Sequence, residues 1–206
     1  MKIYLAIGGN EIVRGYMSKY SLGWCIAPDN ARDTKGFPYF CDNGAFRAWK
    51  CGTQWSENRF KSLLKRYPDY DFVVLPDIVC GGEKSLIRSI NFIGEIPGNC
   101  YLAVQDGMNA KMVISTLDNY PGGIHGLFIG GSISWKFQTA RMWADVAHLY
   151  KIKCHAGRVG TWEGLIHMHF SKVDSVDSSS PSRNCSDFHI KKYLDQIKSQ
   201  SRLMIR

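Results

Sequence analysis

The sequence predicts an α/β fold in which eight parallel strands close into a (β/α)8 barrel, a single compact domain over residues 1–206. Short apolar, β-branched or aromatic stretches recur eight times, and segments of helical period separate most of them. Strands that alternate with helices imply a parallel sheet buried on both faces. Eight strands favour the barrel, and an open doubly wound sheet stays as the alternative because 206 residues is short for a barrel.

The expected strands share the composition of buried sheet. In chain order they are KIYLAIG (2–8), GWCIAP (23–28), PYFCD (38–42), DFVVLPD (71–77), CYLAVQD (100–106), HGLFIGG (125–131), IKCHAGR (152–158) and KVDSVD (172–177). Ordinary turn residues, as in YPDYD and IPGN, precede some of them.

Helical periodicity fills several of the intervening segments. Apolar side chains recur at three- and four-residue spacing in two sets: Phe60, Leu63, Leu64 and Tyr67, then Met142, Trp143, Val146, Ala147 and Tyr150. Ser56 has N-cap spacing from Arg59, with the early acid Glu57. Residues 85–93 and 110–117 predict shorter helices, and residues 187–200 can form a helix with apolar and basic faces.

Composition limits the class of protein. Seven cysteines occur singly, without a CxxC pair, so neither a disulfide framework nor a ribbon-type zinc site is indicated. The first ten residues hold too few apolar side chains for a signal-peptide core, and no run reaches the length of a membrane span, so a soluble cytoplasmic protein without a membrane partner is expected. The formal charge of +8 favours a polyanionic partner.

Polar and glycine residues collect where the expected strands end. They are Asp42, Asn43, Asp77, Gln105, Asp106, Gly130, Gly131, Ser132, Arg158, Asp174 and Asp177. A single strand-end aspartate is more often a helix cap than a catalytic group. Active sites of (β/α)8 barrels lie at this face, so the accumulation predicts a carboxylate-rich pocket.

Strand geometry separates the last two aspartates. Asp174 and Asp177 are an odd number of residues apart, so they point to opposite faces of an extended strand. Asp177 is nearer the strand end and precedes flexible serines, so it is the candidate nucleophile or acid, whereas Asp174 is expected to support the loop. His155 is expected to be a packing group inside its strand.

Backbone donors are expected at one glycine pair. Gly130 and Gly131, flanked by Ile129 and Ser132, can offer N–H groups to a flat ligand.

Five motifs together resemble one enzyme family. VDSVDSSSPSR (173–183) resembles the hydrophobic-Asp-x-x-Asp-x-x-x-Pro-Thr-Arg signature of the tRNA-guanine transglycosylases, the queuine and archaeosine tRNA-ribosyltransferases, with Ser182 in place of threonine. In the same order along the chain, CDNGAF, LAVQDG, LFIGGS and HAGRVG are similar to the family's Asp-Ser-Gly-Gly-Phe, Val-Gln-Gly-Gly, Ile-Gly-Gly-Leu/Ser and Met-Gly-Val-Gly motifs. The family fold is a (β/α)8 barrel.

The resemblance implies exchange of guanine for a 7-deazaguanine base in a polynucleotide. Asp177 matches the nucleophile that attacks ribose C1′, Asp42 the second carboxylate that transfers protons, and Asp77 an aspartate that hydrogen-bonds the guanine edge. The implied substrate-binding set also contains Gln105, Gly130, Gly131, Ser132 and Arg158. The incoming partner is a free 7-deazaguanine base such as preQ0, and no cofactor is implied.

The chain departs from the tRNA enzymes in ways that favour DNA. Their zinc module is missing, because only Cys185 and His189 follow the last motif and a structural zinc needs four ligands. Asn43, Ala45 and Asp106 also alter the family motifs. Cys80 is displaced relative to the cysteine of the family's Asp-Glu-Cys motif. The short chain resembles the small phage-type relatives that modify DNA, which places it in the host cytoplasm if phage-encoded.

The basic C-terminal segment (183–206) is expected to hold DNA, with four candidate phosphate contacts: Arg183, Lys191, Lys192 and Lys198. The alternatives are a tRNA-guanine transglycosylase, a noncatalytic nucleic-acid-binding partner subunit, and a hydrolase that uses water as acceptor.

Overall fold

A computed structural model describes residues 1–6 and 10–203, with side chains through residue 199. Its eight parallel strands pair in chain order and close into a barrel, since β1 pairs with both β2 and β8. The strands are β1 (Lys2–Leu5), β2 (Gly23–Ile26), β3 (Tyr39–Cys41), β4 (Val73–Val74), β5 (Cys100–Val104), β6 (Gly126–Ile129), β7 (Lys153–Ala156) and β8 (Ser175–Ser178). The predicted barrel is therefore confirmed, and the doubly wound alternative is wrong.

Helices follow the strands around the outside. They are α1 (Glu11–Tyr20), α2 (Ala45–Lys50), α3 (Glu57–Arg66), α4 (Glu83–Ile90), α5 (Ala110–Asn119), α6 (Ile133–Leu149), α7 (Trp162–Phe170), α8 (Ser180–Asn184) and α9 (Phe188–Leu203). Helix α6 begins at Ile133, well before the Met142 at which its clear periodicity starts. Ser56 caps α3 as predicted, accepting a hydrogen bond from the Arg59 N–H.

The lower barrel interior is filled by aromatic rings. Phe72 stacks on Phe40 at a centroid distance of 4.5 Å and on Tyr101 at 3.9 Å. Gly126 makes room for Tyr101, because a Cβ there would lie 2.5 Å from the ring. Above these rings the strands carry small side chains, among them Ala103, so space remains at the carboxyl-terminal end of the barrel.

The segment after β8 differs from its prediction. The serines expected to be flexible lie instead at the end of β8 and in α8, and Ser178 and Ser182 are buried. The predicted C-terminal helix is confirmed as α9, whose Ile190 and Tyr193 are buried in the packing against α7. No helix within the described residues is both long and apolar enough to cross a membrane.

Candidate active site

A cavity of about 940 Å³ opens at the carboxyl-terminal mouth of the barrel, and each of the eight strands or the loop after it contributes to its walls. The predicted site residues that line it are Asp42, Asp77, Gln105, Gly130, Gly131, Ser132, Arg158, Asp177 and Arg183. Parallel strands bring their carboxyl ends to one edge, which is why residues as distant in sequence as Asp42 and Arg183 meet here.

Asp177 is a buried carboxylate of the cavity that is held by both of its oxygens. Its side chain is only 6% exposed. Oδ1 lies 3.2 Å from His155 Nε2, and Oδ2 accepts a hydrogen bond of 3.1 Å from the Arg158 N–H. Gly157 permits this approach, because a Cβ there would lie 3.3 Å from Asp177 Oδ1 and 2.5 Å from the Phe128 ring. The carboxylate is therefore fixed in one orientation at the cavity wall.

His155 sets that orientation from inside the barrel. Its ring is fully buried and stacks on Phe128, and burial lowers the pKa of the imidazole below its usual value. A carboxylate only accepts, so Nε2–H donates to Asp177, and the neutral ring then accepts at Nδ1 from the Ser175 hydroxyl at 2.9 Å. The sequence correctly predicted a buried group but missed its bond to Asp177.

Asp174 lies away from the cavity, as the strand alternation predicted. It accepts from the Cys154 N–H at 2.8 Å and pairs with His148 Nε2 at 3.0 Å and Lys153 Nζ at 3.4 Å. It therefore joins the start of β8 to β7 and α6. Its contacts fit the supporting role expected for it, at the start of β8.

Asp42 faces the same cavity and is the carboxyl group whose protonation changes near neutrality. Burial, together with the negative charges of Asp177 and Asp77, raises its pKa to about 7, although the Gly44 N–H donates to it at 2.7 Å. Asp42 can therefore hold or release a proton at physiological pH.

Asp77 is held in a network of amides. Asn43 Nδ2 donates to Asp77 Oδ1 at 2.9 Å, and Gln105 Nε2 lies 3.4 Å from Oδ2. Burial raises the pKa of the Asp77 carboxyl, and the Asn43 bond offsets part of that rise. Gln105 also bonds Ser85 Oγ, the Ile78 carbonyl and the Cys80 N–H. Its amide thus shapes the β4–α4 loop, a positioning task that the sequence did not predict.

The glycine pair after β6 corrects one expectation. The Gly130 N–H donates to the Val104 carbonyl at 2.8 Å, so it does not offer a hydrogen bond to a ligand. Gly131 has a φ of 72°, and a Cβ there would lie 2.4 Å from Asp106 Oδ2. Asp106 in turn accepts from the Ser132 N–H and hydroxyl, which anchors the start of α6.

Arg158 and Phe46 both line the cavity and contact each other. Its guanidinium carbon lies 3.8 Å from the Phe46 ring centroid, and Nη2 donates to the Gly131 carbonyl at 2.7 Å. Arg158 is in the left-handed region with a φ of 59°, which turns its N–H towards Asp177 while the side chain reaches across the mouth.

Lys136 is a buried cation that sequence reasoning missed. It is 1% exposed on α6, and its ammonium group donates to the Gly157 carbonyl at the end of β7. Burial lowers the pKa of Lys136 to about 8, while the charges of Asp177 and Asp106 oppose that shift. A lysine in a helix ordinarily faces water, so only the tertiary packing reveals this position.

The lysines of the C-terminal segment lie on the outer wall. Helix α9 runs beside α7, with the Trp162 N–H donating to His189 Nδ1 and Tyr193 Oη 3.0 Å from His169 Nδ1. Lys192 Nζ lies 5.0 Å from the Trp162 ring centroid. Lys191 and Lys198 are exposed on the same helix, whereas Arg183 lines the cavity.

The described residues hold no group of three or more His, Cys, Asp or Glu side chains arranged to bind a metal ion. In comparisons with known proteins, no family model matches the sequence, and no curated protein matches it significantly.

Proposed function

We propose that the protein is a base-exchanging transglycosylase that replaces guanine with a 7-deazaguanine derivative in DNA through a covalent Asp177–sugar intermediate. The observation that carries the proposal is one cavity with two carboxyl groups of different character. Asp177 is oriented by His155 and the Arg158 N–H, while Asp42 exchanges a proton near pH 7.

The two groups supply the parts of a double displacement. An Asp177 oxygen attacks C1′, the bond from C1′ to guanine N9 breaks, and its electron pair stays on the base. Protonated Asp42 supplies the proton that neutralises the leaving guanine. The ionised Asp42 then takes a proton from the incoming base, whose N9 attacks C1′ and frees Asp177. Two changes lower the barriers to loss of guanine and to attack by the incoming base: the displacement is split into two steps, and Asp42 transfers the proton within the site.

Asp77 is suited to hold the base. A guanine presents N–H donors at its Watson–Crick edge, and a carboxylate accepts two of them. Asn43 fixes one oxygen of Asp77 at 2.9 Å, so the group is oriented before a base arrives. A base must leave the helical stack to reach a site enclosed by strand ends, as in other enzymes that act on bases.

The cationic side chains of the cavity are suited to the phosphates of a polynucleotide. Five cationic side chains line it, together with five aspartates: Arg32, Arg47, Lys50, Arg158 and Arg183, and Asp29, Asp42, Asp77, Asp106 and Asp177. DNA rather than tRNA is proposed from the resemblance to small relatives without a zinc module.

The test is incubation with radiolabelled guanine and either DNA or tRNA, comparing the wild-type protein with Asp177→Asn. Asparagine is nearly isosteric but far less nucleophilic, so this variant should fold, incorporate no label and form no trapped covalent adduct with DNA. Asp174→Asn is the matched control, because Asp174 lies directly before the same strand, does not line the cavity, and should retain exchange when replaced.

Each rival function predicts a different outcome. Label in tRNA would replace the proposed polymer, whereas release of free base without incorporation would indicate the hydrolase. Binding of nucleic acid with neither reaction would indicate the noncatalytic subunit.

A further inference from the structure

Helix α2 carries an exposed tryptophan at the mouth of the cavity. Its sequence AFRAWK places Phe46 and Trp49 three residues apart, so both rings lie on one face of the helix. Their centroids are 5.7 Å apart at an interplanar angle of 36°. Phe46 is half-buried, but Trp49 is 56% exposed. The Trp49 ring therefore offers a broad apolar face to anything that enters the mouth.

The position of Trp49 is tied to that of Asp42. Asp42 accepts from the Gly44 N–H directly before α2, and the Trp55 indole N–H donates to the Asn43 carbonyl at 2.8 Å. Gly44 has a φ of 78°, which lets the chain turn from β3 into the helix. Six residues of helix rise by only about 9 Å, so Trp49 stays close to the reacting centre.

The same helix carries the charges that a phosphodiester chain needs. Arg47 and Lys50 are exposed and line the mouth beside the aromatic face. Arg47 Nε lies 3.3 Å from Asp29 Oδ2, which holds the guanidinium at the rim. Aromatic rings interleaved with cations are the recurring means of binding unpaired nucleic acid.

We propose that α2 is a platform for the nucleotide adjacent to the one whose base enters the cavity. Its base stacks on Trp49, and its phosphates lie against Arg47 and Lys50. Withdrawing one base from a stack leaves the neighbour with an uncovered face, and an aromatic side chain restores part of that stacking. This inference rests on the proposed polynucleotide substrate and adds the surface that holds it.

The test measures binding of a fluorescently labelled single-stranded oligodeoxynucleotide by anisotropy. Trp49→Ala should weaken binding roughly 5- to 150-fold, the range for loss of one stacked base, and Trp49→Phe should restore it to within about threefold of wild type. Phe170→Ala is the matched control, since Phe170 is 48% exposed at the end of α7 remote from the mouth. It should leave binding unchanged.

Salt dependence separates stacking from charge. Trp49→Ala should keep the wild-type slope of log affinity against log salt. The double variant Arg47→Ala/Lys50→Ala should reduce that slope by about 0.7 for each phosphate of a single strand that the two cations neutralise in the wild type.

Two results would overturn the inference. The first is an oligonucleotide affinity that is unchanged in Trp49→Ala. The second is self-association of the wild-type protein in sedimentation experiments without DNA, together with its loss in Trp49→Ala. The second result would assign the surface to another copy of the chain. The binding assay does not need turnover. If wild type exchanges no base but loses binding on Trp49→Ala, the chemistry fails and the platform stands. If it exchanges bases and Trp49→Ala binds normally, the platform alone fails.

Discussion

Replacing Asp42 by asparagine is expected to stabilise the protein at neutral and alkaline pH while abolishing base exchange. The folded protein raises the pKa of this carboxyl from 3.8 to about 7, chiefly by burial. Between these two values the folded state keeps a proton that the unfolded chain has released. The free energy of unfolding contributed by Asp42 therefore falls as pH rises from about 4 to about 7, and is constant above that range.

The magnitude follows from the size of the shift. About three pKa units at about 1.4 kcal/mol each correspond to about 4 kcal/mol at pH 8. Asparagine carries no charge to desolvate, and its Oδ1 can still accept from the Gly44 N–H, which now bonds Asp42 Oδ1 at 2.7 Å. The variant should thus gain about 1.4 kcal/mol over wild type for each pH unit between 4 and 7.

Urea denaturation at one-unit intervals from pH 4 to pH 9 measures this difference. The internal control is the acid end of the series, where the unfolded carboxyl is only partly ionised and the two proteins should differ least. A stability difference that stays constant over the whole range would show that the cavity does not perturb this carboxyl, and would refute its assignment as the proton-transfer group.

Three further results are expected. Lys136→Met should raise the free energy of unfolding by about 2 kcal/mol at pH 6, because about 3 kcal/mol of relieved desolvation exceeds about 1 kcal/mol for the missing bond to Gly157. This gain in stability should fade as pH rises from 8 towards 10.5. Equal urea midpoints of the two proteins at pH 6 would contradict the prediction. Metal analysis should find no stoichiometric zinc, and a chelator should leave the Tm of the protein unchanged. About one zinc ion per chain would disprove the prediction. Reversing the charges of Lys191, Lys192 and Lys198 should flatten the salt slope for duplex DNA by about 0.9 for each phosphate that these lysines neutralise, and an unchanged slope would remove α9 from the binding surface.

The parts of the site that lie at strand ends were predictable from sequence. A parallel barrel brings those ends to one mouth whatever lies between them, so Asp42, Asp77 and Asp177 had to meet once eight strands were recognised. Alternation along the last strand expected from sequence (172–177) also separated Asp177 from Asp174 without further information. These predictions needed only the period of each element.

The groups that tune the site were not predictable in this way. His155 reaches Asp177 through the pairing of β7 with β8, in which His155 lies opposite Ser175. Lys136 reaches the end of β7 from α6, and Gln105 donates a hydrogen bond to the Ile78 carbonyl in the β4–α4 loop. Each of these bonds depends on the register or packing of two elements, which local periodicity does not encode. Helix α8 was missed because its five residues SPSRN carry no apolar period.

Ser175, His155 and Asp177 are linked in that order by hydrogen bonds. This order distinguishes the proposed chemistry from hydrolysis by a serine nucleophile. In a serine triad the hydroxyl faces the substrate and the carboxylate is buried behind the imidazole. Here Asp177 lines the cavity, and Ser175 is buried on the far side of the ring, 2.9 Å from Nδ1. Neutral His155 donates to the carboxylate and so holds one of its oxygens. The arrangement fits the proposed attack by Asp177, because among these three residues it is Asp177 that lines the cavity.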